Sequence, residues 1–369
     1  MCVIAGYIGT QPAAPLLLEM LRREEGLAGG YYTGIVTLHE GRLHHAKVVG
    51  DVETLIATTD AWKLPGTIGL AHSRTPGGGG HGFAHPFLDH HQKLAYIANG
   101  SNGLYNGKVD FAAAAEVLLQ NGYSFSSASP EKITKYPVLA DGRCIHYSDL
   151  LCQDMAWRYE NLPPSPDRLL KAISATYQHL PGEIVGLCLH ADGPDEIAGA
   201  RHNKPMEIGK LPDGSYVLAS STLAFPGEAR HHLRMPGLSA IRIHREEGIQ
   251  ISPFENKKLL PLGLPPSALA VEEKVVHFLR QEKQVWVPML REHASASLWK
   301  EHELGEPESV VFPLLAALLK EGRINLQNEY VPGVKGHGLV PRMTAHWVDA
   351  KPPHGRSSAK GRRQSLENQ

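Results

Sequence analysis

The chain has 369 residues, 42% of them hydrophobic and 20% charged, with a formal net charge of −1. This is the composition of an ordinary globular protein of one or two domains, with no global field to attract nucleic acid or a membrane surface. Cys2, Cys144, Cys152 and Cys188 lack metal-type spacing, no apolar run has transmembrane length, and no signal peptide opens the chain; a cytoplasmic protein with reduced thiols, no metal and no cofactor is expected.

In chain order, Met1-Cys2 leads into a strand, VIAGYIG. Pro15 to Gly26 (PLLLEMLRREEG) reads as a helix, with Leu17, Leu18 and Leu21 on one side and Glu24 and Glu25 outside. Four runs of strand formers come next, at 33–38, 42–50, 67–73 and 93–100. Asp110 caps the helix DFAAAAEVLLQNG, which Gly122 ends. Ser165 caps a second helix, with Pro166 in its first turn. Strands return at 183–190, 195–201, 215–221 and 239–244. Elements of one kind come in blocks, which predicts a layered α+β fold.

The stretch PFENKKLLPLGLPP reads as a connector, which gives domains at 2–252 and 270–349 joined by a linker over 253–269. The second, smaller domain is α+β: VEEKVVHFLRQEKQVWVPMLREH and PESVVFPLLAALLKEGRI look helical, and NLQNEYVPGVKGHGLVPRMTAHWV resembles a hairpin. That is the outline of a winged helix. The basic tail over 350–369 has Leu366 as its one large aliphatic residue from Lys351 onward, and is expected to be disordered.

Cys2 raises the first chemical question. Removal of Met1 would give this residue a free α-amine, which titrates near pH 8 and can take the thiol proton directly or through one water. One residue would then supply both nucleophile and base. On position alone, a second-position Cys is more often an incidental small residue.

Further motifs change that reading. MCVIAGYIG resembles the start of the class II glutamine amidotransferases, nearest to the glutaminase half of the glutamine:fructose-6-phosphate enzymes, where the pattern is Met-Cys-Gly-Ile-x-Gly-Tyr-Ile-Gly. GGYYTG (29–34), GLAHSR (69–74), AHP (84–86) and ANGSNGLYN (98–106) match that family's motifs in its order, as does LPGEIVGLCLHADGPDEIAGARHNKPMEIG (180–209) with VLASSTLAF after it. The resemblance covers about residues 2–250. It implies a four-layer αββα N-terminal-nucleophile sandwich and a Cys2 thioester mechanism without cofactor or metal. It further implies an oxyanion hole from Asn99 and Gly100, and Arg74 as the partner of the glutamine α-carboxylate. Read from residues alone, Asn-Gly after a strand is a tight turn and Arg74 a surface ion pair. His72 and His85 read as structural.

Two departures bear on substrate. Where the family has Trp-Ala-Thr-His-Gly after its Arg, this chain has Thr75-Pro76 and four glycines, Gly77 to Gly80, whose N–H groups could cradle a carboxylate. The family's acidic anchor for the α-ammonium aligns naively with Pro130, which cannot serve. Counting back from the helix LLKAI (169–173) places it at Asp149, with Asp141 as runner-up. That implies an insertion of about twenty residues, SASPEKITKYPVLADGRCIHY, beside the pocket.

No phosphoribosyl-diphosphate loop, iron–sulfur Cys cluster or P-loop is present, and the chain beyond residue 250 is too short for a sugar-phosphate synthase. Three readings remain. The chain is a glutaminase passing ammonia to a separate synthase or acceptor protein, as a monomer or homodimer. Or it hydrolyses another γ-glutamyl amide. Or it is a ligand-sensing regulator with a DNA-binding C-terminal domain, marked by a basic face of Lys320, Arg323, Lys335 and Arg342.

Overall fold

The computed structural model describes residues 2–133, 136–255, 268–290 and 308–349. Strands β1 (Val3–Ile8), β2 (Tyr32–His39), β3 (Arg42–Val49) and β4 (Ile68–Arg74) belong to a first sheet. Strands β5 (Phe87–Leu88), β6 (Leu94–Ser101), β7 (Glu183–His190) and β8 (Glu196–Arg201) belong to a second. The chain then returns to the first with β9 (Glu207–Lys210), β10 (Tyr216–Ala219) and β11 (Arg230–Arg234). It closes on the second with β12 (Ser239–His244) and β13 (Gly248–Pro253). The orders are β11-β9-β10-β1-β4-β2-β3 and β13-β12-β8-β7-β6-β5, with every strand pair antiparallel.

The sheets face each other across a core that includes Ile4, Val36, Leu70, Ile97, Leu187 and Ile241. Helix α1 (Ala13–Ala28) and the short α2 (Val52–Thr58) cover the outer side of the first sheet. Helices α3 (Phe111–Gln120), α4 (Tyr147–Asn161) and α5 (Arg168–His179) cover that of the second. The result is the four-layer αββα sandwich. Strands buried on both faces need apolar residues throughout, which is why VIAGYI shows no alternation.

Several elements differ from expectation. Glu24 and Glu25 are buried, not outside, because a second set of elements covers the last turn of α1. Glu25 accepts from Ser73 Oγ (2.6 Å), Thr33 Oγ1 (3.0 Å) and Val52 N (3.1 Å), and burial raises its pKa to about 7. Helix α5 is capped at Asp167, past Ser165. Helix α4 shows no apolar stripe in sequence because Tyr147 to Ala156 are all buried, leaving no solvent face to set a period.

Near the C-terminus the chain forms α6 (Ala268–Glu282), β14 (Gln284–Trp286), α7 (Glu308–Lys320), β15 (Ile324–Pro332) and β16 (Leu339–Trp347). The first predicted helix ends early: Lys283 takes a positive φ of 62°, and a strand comes next. The hairpin is present, in a sheet ordered β14-β16-β15. The tail and most of the predicted linker lie outside the described residues. Val275, Leu279, Leu315 and Met343 from this segment share a core with α1, and Asn328 Nδ2 donates to the Arg22 carbonyl (3.0 Å).

Candidate active site

Cross-strand register assembles the site. Ile4 opposes His72 and Tyr32 opposes Arg74, so these side chains share a face, and Ile4 places that face between the sheets. Cys2, two residues before Ile4, falls on it. Asn99, two residues after Ile97 on β6, looks back from the other sheet.

Specific contacts tie these residues together. The Cys2 backbone N–H donates to Asn99 Oδ1 at 2.9 Å, a buried bond between the two sheets. On removal of Met1 the same nitrogen would be the α-amine. With Oδ1 so engaged, Asn99 Nδ2 is buried without a protein acceptor among the described residues. Gly100 comes next with φ +133°, and a Cβ there would lie 2.1 Å from the Glu183 carbonyl, so glycine alone fits. The Asn-Gly pair is inside β6 and forms no turn.

His72 is the residue that sequence reading undervalued. Its Nε2 lies 3.0 Å from the Ala98 carbonyl, which can only accept, so Nε2 carries a proton and Nδ1 is the ring nitrogen left over. Nδ1 makes no well-formed hydrogen bond, and the ring is close enough to act on the Cys2 thiol. Burial pushes that thiol up, but His72 and the chain's terminal ammonium outweigh it and bring its pKa down to about 6. His85 packs on His72 with ring centroids 3.9 Å apart, and burial keeps it neutral. A thiol with its pKa near 6 is ionised above that pH and loses reactivity as pH falls through it. The iodoacetamide alkylation rate of Cys2 should therefore show its midpoint near pH 6, and His72→Ala should move it upward by roughly one to two units. An unmoved midpoint would remove His72 from the site.

Arg74 is buried, stacked over Tyr32 with its guanidinium 4.8 Å from the ring centroid. Its Nη1 donates to the Gly78 carbonyl (3.1 Å) and its Nη2 to the Tyr136 hydroxyl (3.0 Å). The glycine run thus turns a carbonyl to Arg74, where its N–H groups were expected to cradle an anion. Gly77 is needed for space: a Cβ there would lie 2.1 Å from Arg74 Nη2. The insertion reaches the pocket, as its position suggested, through Tyr136.

Asp149 stands within a hydrogen-bond network of its own. It is fully buried in the first turn of α4, and its carboxylate accepts from Ser127 N (2.8 Å), Ser127 Oγ (2.8 Å), Ser126 Oγ (3.3 Å) and Gln153 Nε2 (3.0 Å). Burial raises its pKa against these bonds. The side chain from the start of α4 that reaches toward Arg74 is His146, joined to it through Tyr136. Asp141 lies on the surface, bound to Arg143. Asp149→Ala should then destabilise the fold by about 3 kcal/mol, because it strands the buried Ser127 and Gln153 donors. Asp141→Ala should leave stability unchanged. Equal denaturation midpoints for the two variants would refute the assignment.

The C-terminal hairpin abuts the back of this site. Arg342 Nη2 donates to the Tyr31 hydroxyl (2.7 Å), and the His337 ring meets Tyr31 and Tyr32 edge-on at 4.9 and 5.3 Å.

No protein-family model matches the chain. Among curated proteins it is similar to the isomerizing glutamine–fructose-6-phosphate aminotransferases of Streptomyces coelicolor and Synechocystis. It is 28% identical to the first over 258 residues, 69% of this chain and 37% of that one. To the second it is 29% identical over 289 residues, 76% of this chain and 42% of that one. The chain therefore spans about two-fifths of the length of these relatives. Among solved structures it is similar to the glutamine phosphoribosylpyrophosphate amidotransferase of Bacillus subtilis, determined with ADP and GMP. The TM-score is 0.55 at 19% identity, over 76% of this chain and 58% of that one. An allosteric regulatory enzyme of purine biosynthesis gives a TM-score of 0.54 at 20% identity, with the same coverage. These structural likenesses establish the fold.

Proposed function

We propose that this chain, a relative of the class II glutamine amidotransferases, hydrolyses the side-chain amide of glutamine through a thioester on Cys2. The observation that carries the reading is the Cys2–Asn99 pair: the nitrogen of Cys2 rests on Asn99 Oδ1, beside a thiol held at about 6 and an uncommitted amide donor. The thiolate attacks the carboxamide carbon, and the negative charge moves to the oxygen, where Asn99 Nδ2 and the Gly100 N–H receive it. The α-amine of Met1-processed Cys2 carries the proton to the departing nitrogen, which leaves as ammonia. Water then attacks the γ-glutamyl thioester, releasing glutamate and restoring the thiol. Arg74 orients the substrate through its α-carboxylate. The ammonia goes to an acceptor protein separate from residues 2–252, in a cytosolic setting that keeps the thiol reduced.

A second reading, another γ-glutamyl amide as substrate, is supported by one observation: the carboxylate expected from sequence to anchor the α-ammonium, Asp149, already accepts from Ser126, Ser127 and Gln153. The regulatory DNA-binding reading is weakened by the use of its basic residues. Arg342 is bound to Tyr31 and the Gly29 carbonyl, and Arg323 lies over Trp347 at 5.1 Å. We keep the winged-helix outline as a proposal for topology only.

The test is ammonia and glutamate release by Met1-processed protein from L-glutamine, beside a panel of γ-glutamyl amides. Equimolar products from glutamine support the first reading. Turnover confined to the panel supports the second, and no turnover of either removes both.

A further inference from the structure

The insertion before α4 places one hydroxyl against Arg74, and its hydrogen-bond account is incomplete. Tyr136 Oη receives Arg74 Nη2 at 3.0 Å and lies 3.0 Å from His146 Nε2. The direction of the second bond is set by the other ring nitrogen. His146 Nδ1 accepts the Ser148 backbone N–H at 3.0 Å, so it bears no proton. Burial and the neighbouring Arg74, His72 and Lys47 hold His146 neutral. A neutral imidazole with a bare Nδ1 carries its proton on Nε2, and Nε2–H therefore donates to Tyr136. Tyr136 Oη thus accepts two hydrogen bonds, and its own proton has no acceptor among the described residues.

Tyr136 is half-buried, and its hydroxyl is near enough to Cys2 for the thiolate charge to act on it. Phe83 packs edge-on against its ring at 5.5 Å, which fixes the direction of the hydroxyl. Arg74 has five N–H donors, and two are used by Gly78 and Tyr136. The cation and the hydroxyl therefore present unclaimed donors side by side in the same pocket.

We infer that Tyr136 is a substrate-binding residue, whose hydroxyl proton joins the Arg74 guanidinium in holding the substrate's carboxylate. This rests on the reading of the site as a glutaminase or γ-glutamyl amidase, and it deepens that reading: carboxylate recognition is shared between β4 and the insertion. It also gives His146 a positioning role, since its Nε2–H blocks the one alternative in which the tyrosine proton turns back into the protein.

The experiment uses full-length Cys2→Ala protein, which binds without turnover, and titrates it by calorimetry with L-glutamine and with L-glutaminamide, the analogue whose α-carboxylate is an amide. Tyr136→Phe in that background keeps the ring and its contacts. It should weaken L-glutamine binding by on the order of tenfold, the contribution of one hydrogen bond to a charged group. It should change L-glutaminamide binding by less than about twofold. In the active protein the same substitution should raise KM for glutamine by the same factor with kcat nearly constant. The rate of Cys2 alkylation by iodoacetamide, which carries no carboxylate, should be unchanged. Equal glutamine affinity with and without the hydroxyl would overturn the inference and leave the glutaminase reading standing. An equal loss for both ligands would also overturn it, by showing a general packing defect. If the parent Cys2→Ala protein binds neither glutamine nor a γ-glutamyl amide, the functional reading fails and takes the inference with it.

Discussion

Cys2→Ala should abolish glutamine hydrolysis, lowering kcat by at least about a thousandfold, because no other group in the site can form the thioester. The companion experiment separates nucleophile from base. Protein that retains Met1 has a peptide nitrogen at Cys2, bonded to Asn99 as an N–H donor. It keeps the thiol beside His72, so iodoacetamide should still alkylate it near neutral pH. Turnover should nonetheless be lost, because a peptide N–H cannot shuttle a proton to the departing nitrogen. Reactive thiol without catalysis is thus the expected signature. Turnover by Met1-retaining protein would assign the proton transfer to His72, which lies beside the same sulfur.

Asn99 carries the second large effect. Asn99→Ala should lower kcat by roughly a hundredfold to a thousandfold with little change in KM, the usual consequence of losing one oxyanion donor. The substitution also removes the acceptor that holds the Cys2 nitrogen, so Asn99→Asp is the informative partner. It preserves an acceptor for that nitrogen, removes the Nδ2 donor, and puts negative charge where the oxyanion forms. If donation to the oxyanion dominates, Asp should be at least as damaging as Ala. If anchoring the amine dominates, Asp should recover most of the activity. Near-equal thermal stability of both variants would keep the comparison free of folding defects.

Positions whose neighbours lie close in sequence were legible before the fold was known. Asp110 was readable as a cap, and its carboxylate accepts from Ala113 N at 2.9 Å. The strands at 33–38, 42–50 and 67–73 were readable because their residues favour pleated structure and their ends carry turn formers. Cys2, Asn99, Gly100 and Arg74 could be singled out through the family resemblance, because they stand in three short motifs at strand ends. Their meeting around Cys2 is the outcome of two sheets packed face to face.

Tertiary structure alone decided what depends on register and on second layers of packing. His72 acts on Cys2 because Ile4 pairs with His72 across β1 and β4, and no local periodicity encodes which residues of distant strands oppose each other. Glu24 and Glu25 looked solvent-facing because a helix pattern reports one buried face, whereas the end of α1 is covered on two sides. The network around Asp149 was likewise hidden, because spacing locates a carboxylate along the chain but not the donors that will surround it. In the fold Ser127 and Gln153 donate to it, which offsets the cost of burying a carboxylate. Tyr136 had no motif at all. Its place beside Arg74 comes from the path of an insertion across the sheet edge, a property of the folded chain that composition and spacing do not contain.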